Sequence, residues 1–182
     1  MASRGQALVD GEGAMRVVMH LQGSGVRLRK ARLQDREQVW EWANEPKARE
    51  ASFSPEPIPW DQHVRWFEAK LRDPYCRFYV AINPEEEPVG QVRYDSDGGE
   101  AEVSISLSAR FRGKGLGGEI LRLGSLTILN EESGVASIRA FVKEGNISSV
   151  RLFRRAGFRE EGPVVVRGHR ALRFTLQRTQ VQ

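Results

Sequence analysis

The chain has 182 residues, 40% of them apolar and 29% charged, which suits a soluble globular domain with its own core and excludes a disordered or fibrous chain. The net charge is +4, but 28 basic residues interleave with 24 acidic ones without long blocks of one sign, so a small anion at one basic loop is expected rather than nucleic acid. A single cysteine, Cys76, excludes a disulfide framework and a cysteine zinc site, and no apolar run approaches the roughly 18 residues needed to cross a bilayer. A cytoplasmic protein with no membrane and no metal partner is therefore expected.

Residues 1–24 differ from the remainder. A Gly-rich turn and a short stretch with Met15, Val18 and Leu21 lead into a Gly-Ser tract, which reads as a mobile tail. From Val26 the pattern becomes regular. VRLRKAR alternates apolar and charged residues as a half-buried strand does. LQDREQVWEWANEP predicts a helix starting near Gln34 or Asp35, with Val39 and Trp42 inward and Pro46 as its limit. After the loop SPEPIP, WDQHVRWFEAKLRD predicts an amphipathic helix with Trp60, Val64, Phe67 and Leu71 as its inner stripe. CRFYVAIN, VGQVRYD and AEVSISL read as three strands of an antiparallel meander, with the turns PEEEP and SDGGE at the corners. A helix from Gly115 to about Glu131 follows, then a strand, ASIRAFVK. NISSVRLFRRAGF predicts a helix with Asn146 as N-cap and Gly157 just past its end. Two further strands are expected at Gly162–Arg167 and His169–Leu176.

The segment RFRGKGLGG, Arg110 to Gly118, places three cations and four glycines where the helix from Gly115 begins. A helix N-terminus exposes unpaired N–H groups and the positive end of the dipole, and glycines let a phosphate come close to them. The segment is therefore expected to hold a pyrophosphate or similar anion on the main chain from Arg112 to Gly118. It satisfies the dinucleotide pattern G-x-G-x-x-G from Gly113 to Gly118, but a meander precedes it instead of a βαβ series, and the ATP-type phosphate loop is absent.

Arg112-Gly113-Lys114-Gly115-Leu116-Gly117 resembles the R/Q-x-x-G-x-G/A motif of the GNAT superfamily of N-acetyltransferases, and NISSVRLFRRAGF resembles that family's N-x-x-[SA]-x-x-x-[YF]-x-[KR]-x-G-F segment. The resemblance runs from about Val26 to Leu176. It implies an α/β fold of the α+β type, the acyl-CoA N-acyltransferase fold, with a mixed central sheet and helices on both faces, formed by residues 25–182. It implies acetyl-CoA as co-substrate. Main-chain groups of Ile105 and Leu107 would bind the pantetheine, and the N–H groups of Arg112, Gly113, Lys114, Gly115, Leu116, Gly117 and Gly118 would bind the pyrophosphate. Asn146 would contact the pantetheine or cap its own helix. Phe153 stands where many members carry a tyrosine that protonates the departing thiolate, so that acid is missing here, and water or Ser149 could substitute.

Transfer to an amine needs a neutral nucleophile and a donor to the developing oxyanion, but no covalent intermediate. Cys76 is accordingly expected to be packed rather than nucleophilic. Two residues are candidate bases. Glu102 shares one face of its strand with Ser104 and Ser106, opposite apolar Val103, Ile105 and Leu107, and relatives use a glutamate on this strand. His63 flanks the inner stripe of its helix and has an imidazole near the right pKa. Each also has a plain structural reading, as a solvated strand residue and a core histidine.

VWEWANEPKAREASF with IPWDQHVRWF resembles the W-x-N-x-x-x-x-R and I-x-x-x-x-H-x-x-[WF] arrangement of bacterial nucleotide-sugar N-acetyltransferases of the pseudaminic and related nonulosonic acid pathways. That resemblance implies a UDP-linked 4-amino-4,6-dideoxy sugar as acceptor, with Arg49, His63 and Trp66 facing it. The tail LVDGEGAMRVVMHL is similar to the C-terminal end of the nucleotide-sugar hydrolase of the same pathway, so residues 1–24 are read as the remnant of such an upstream domain. Acetylation of ribosomal-protein termini and non-catalytic CoA binding remain open as alternatives, as do monomer and homodimer.

Overall fold

The computed structural model describes residues 25–180; the segment 1–24, read above as a hydrolase-derived tail, lies outside the described residues. Among the described residues, seven strands form one sheet in the order β1-β2-β3-β4-β5-β7-β6. The first four, β1 (Arg27–Lys30), β2 (Cys76–Ile82), β3 (Pro88–Asp97) and β4 (Glu100–Leu107), are an antiparallel meander after the first crossover. β5 (Ser137–Lys143) joins β4 in parallel, β7 (His169–Gln177) pairs antiparallel with β5, and β6 (Arg159–Val166) closes the edge antiparallel to β7. The mixed sheet follows from the chain order: a helix between β4 and β5 permits a parallel crossover, whereas short turns force antiparallel neighbours.

Helices lie on both faces. α4 (Leu116–Glu131) and α5 (Ile147–Arg155) cover one face, where Val92, Tyr94, Ile120, Leu121, Ile138 and Phe174 form the main core. α1 (Arg36–Asn44) and α3 (Trp60–Arg72) cover the other, packing Val39, Trp42 and Phe67 on Phe78 and Val80 of β2. Each such fully buried side chain contributes roughly 2 kcal/mol of transfer free energy. Helix and sheet approach tightly at Gly124, where an added Cβ would lie 2.5 Å from the Tyr94 hydroxyl. That hydroxyl sits 3.3 Å from Ser125 Oγ, which satisfies it inside the core.

Two local expectations change. Pro46 does not simply end the first helix; it occupies the first turn of a further helix, α2 (Pro46–Ala51), the one helical position where its missing N–H removes no bond. Trp60 is 37% exposed, and the inward stripe of α3 is carried by His63 and Phe67. As the first residue of α3, Trp60 instead meets Trp40 edge-on, with ring centroids 5.4 Å apart. α5 is capped as expected: Asn146 Oδ1 accepts the Ser149 N–H at 3.2 Å, and Gly157 takes φ +86° past its end. No described helix is long and apolar enough to cross a membrane.

Candidate active site

β4 and β5 pair only from Glu100–Ser137 to Glu102–Arg139, and then diverge. The gap opens into a cleft of about 1200 Å³ between Ile105–Leu107 of β4 and Lys143–Asn146 at the end of β5, with α2 on one flank and α5 on the other. Ser108 N–H donates to Val89 O across β3 at 3.0 Å. By the alternation of a strand, the main-chain groups of Ile105 and Leu107 point to the opposite edge, into the gap. The two residues assigned to pantetheine therefore present unpaired strand groups where an extended ligand could take the place of a neighbouring strand.

The end of the cleft is the start of α4. Gly113 and Gly115 have φ of +75° and +81°, a left-handed backbone that glycine adopts without strain. No side chain caps this helix, so its first N–H groups are available to an anion. At Gly117 an added Cβ would stand 3.4 Å from both Leu107 Cδ1 and Leu152 Cδ1, so bare backbone forms the wall of a narrow slot. Arg112, Gly113, Gly115, Gly117, Gly118, Asn146 and Ser149 all line the cleft, as do Ile105 and Leu107. Lys114 and Leu116 do not: the Lys114 ammonium stands 5.2 Å from the centroid of the Phe111 ring, and Leu116 packs against the core. The Arg112 guanidinium forms an ion pair with Glu45, whose other oxygen accepts the Ala109 N–H at 3.1 Å.

Sequence reasoning overlooked Arg151 and Arg155, which line the cleft one helical turn apart on α5. Their signal was the i, i+4 spacing within VRLFRR. Together with Lys47, Arg112, Lys143 and Arg170 they outnumber the acidic lining residues Glu50 and Glu144.

Phe153 is 4% exposed, packed between Phe158 and Phe174, and absent from the cleft lining. His63 is 1% exposed, ringed by Trp60, Trp66 and Phe67, and its Nε2–H donates to the Arg36 carbonyl at 2.7 Å. Burial lowers its pKa against the opposing effect of that bond, so it is a neutral core residue away from the cleft. Arg49 turns back on its own loop and donates to the carbonyls of Ala43, Ser54 and Glu56. Trp66 lies under the Arg93 guanidinium, 4.9 Å from its ring centroid. The three residues expected to face an acceptor sugar thus serve the packing of α1, α2 and α3.

Glu102 stands where β4 and β5 part, outside the cleft lining, with its side chain 47% exposed and 3.3 Å from Arg139. Arg139 and Arg173 also reach Glu100; burial alone would raise the Glu100 carboxyl, but these two guanidinium groups hold it below the usual range. Cys76 is buried, and burial first of all pushes its thiol up to about 12, which makes it inert as a nucleophile. Among the described residues, no group of three His, Cys, Asp or Glu is placed to hold a metal ion.

A family model described as Acetyltransferase (GNAT) domain matches residues 26–159. No curated protein matches the chain in sequence. Among solved structures it is similar to the aminoglycoside acetyltransferase AAC(6')-Ib in complex with coenzyme A, at 21% identity and a TM-score of 0.74, covering 85% of this chain and 96% of that one. It is also similar to spermidine N-acetyltransferase from Vibrio cholerae in complex with CoA and spermine, at 19% identity and a TM-score of 0.76, covering 87% of this chain and 99% of that one. At such identities the likeness is one of fold.

Proposed function

The chain belongs to the GNAT acetyltransferase family, whose co-substrate is acetyl-CoA, and from that premise we propose that it acetylates the primary amine of a nucleotide-linked amino sugar. The observation that carries acetyl transfer is the cleft, with strand groups of Ile105 and Leu107 along one side and the glycine-lined N-terminus of α4 at its end. The N–H groups of Gly113–Gly118 hold the pyrophosphate, and Arg151 and Arg155 supply charge for the remaining phosphate of coenzyme A. Held in one complex, amine and thioester react by orientation and by polarisation of the thioester carbonyl. Glu102, at the foot of the gap, takes the proton that an incoming ammonium must lose, through water.

The acceptor class rests on two supports. The segment from Trp42 to Trp66 resembles that of nucleotide-sugar acetyltransferases. In addition, the lining nearest α2 and the β6–β7 tip carries Lys47, Lys143 and Arg170 against Glu50 and Glu144. That balance suits an acceptor with a diphosphate better than a polycation such as the spermine or kanamycin bound by structural neighbours. The test is release of CoA thiol with a panel of a UDP-linked 4-amino sugar, spermidine, an aminoglycoside and a peptide with a free N-terminus. Turnover with the sugar nucleotide is expected. Turnover confined to spermidine, the aminoglycoside or the peptide would overturn the acceptor assignment.

A further inference from the structure

Acetyl transfer leaves a thiolate, and the ring at position 153 has no hydroxyl to protonate it. Resting on the acetyl-transfer reading above, we infer that Ser106, held by Gln91, delivers the proton to the departing sulfur. Ser106 lines the cleft on β4, between the two residues whose main-chain groups point into the gap. Gln91 is its direct partner across β3, and Gln91 Nε2 donates to Ser106 Oγ at 3.2 Å. A serine oxygen that accepts from the amide keeps its own proton for another acceptor, and the cleft is the open direction. The amide is itself costly where it stands. Gln91 is 7% exposed, and its carbonyl oxygen is buried without a donor, which typically costs about 1–3 kcal/mol. An apolar residue would avoid that penalty, so the amide is retained for what it does to Ser106. The other hydroxyls of the cleft, Ser148 and Ser149, belong to the first turn of α5, on the far side of the gap from the acceptor flank.

The step balances as follows. The neutral amine nitrogen forms a bond to the thioester carbon, and the carbon–sulfur bond breaks with its electron pair going to sulfur. Sulfur takes the Ser106 hydroxyl proton, and the serine oxygen takes the surplus proton of the acylated nitrogen. The products are the amide and the CoA thiol, with the serine restored. Gln91 acts as a positioning residue.

The test compares Ser106→Ala, Ser106→Thr and Gln91→Leu with the wild type, using kcat and calorimetric affinity for CoA. Ser106→Ala is expected to lower kcat about 100-fold with CoA affinity unchanged, Ser106→Thr to regain most of the rate, and Gln91→Leu to fall between. Loss of CoA affinity in step with kcat, or an unimpaired Ser106→Ala beside an active wild type, overturns this inference alone. A wild type that binds CoA but acetylates no amine overturns the acetyl-transfer reading and this inference with it.

Discussion

Glu45, at the junction of α1 and α2, forms an ion pair with Arg112 of the glycine loop that opens α4. One carboxylate thereby ties the α1–α2 junction to the glycine loop, and its second oxygen holds the Ala109 N–H. Glu45→Gln keeps an oxygen for that N–H but releases the arginine charge. Its melting temperature should fall slightly, by an amount equivalent to about 1 kcal/mol or less for so partly exposed a pair. CoA should nevertheless bind more tightly, because Arg112 no longer shares its charge. A parallel loss of stability and affinity would show instead that the pair only braces the loop.

Gly115, at φ +81°, gives α4 its entry from the loop. Valine there strains the backbone by about 1–2 kcal/mol and turns the first N–H groups away from the anion. Calorimetry should find CoA affinity lowered at least about ten-fold, the equivalent of about 1.4 kcal/mol. Unchanged affinity in a folded Gly115→Val protein would remove the helix terminus from the binding site.

His63 makes stability depend on pH. Its folded pKa lies below the ordinary value of 6.5, so the unfolded chain binds the proton more readily. The stability held by the neutral ring is present in full above that value and is lost as pH falls from there through the lower folded pKa. Thermal melts should show a decline on acidification that is smaller in His63→Gln, which can still donate to the Arg36 carbonyl. With folding accounted for, the pH dependence of turnover should be the same in that variant; a missing acidic limb would restore His63 as a base.

Gly124 sits against Tyr94 with no room for a methyl group. Gly124→Ala must push α4 off β3 and should cost about 1–3 kcal/mol, read by chemical denaturation. Because the glycine loop leads directly into α4, CoA affinity should drop with it if that loop holds the pyrophosphate as proposed.

The sheet and its helices were legible because their residues obey simple periods. AEVSISL alternates, and Ala101 and Val103 are buried while Glu102 is exposed. Asn146 and Gly157 mark both ends of α5. Gly113 and Gly115 of the loop were equally legible, since few other residues could adopt their backbone. The acceptor side was not. Arg49 matches a motif position, but a long side chain can turn either way, and here three carbonyls claim it. His63 lies one helical turn before Phe67, so the period that buries Phe67 buries His63 as well. The Gln91–Ser106 pair joins residues 15 apart in sequence, and no local pattern announces a cross-strand contact of that kind.

The central claim is that the cleft between β4, α4 and α5 grips coenzyme A through main-chain groups. Titration calorimetry of the folded protein with CoA tests it most directly. One molecule bound per chain, with affinity falling in Gly115→Val, is the predicted result. No measurable heat with either CoA or acetyl-CoA, at protein concentrations where the fold is intact, would contradict it.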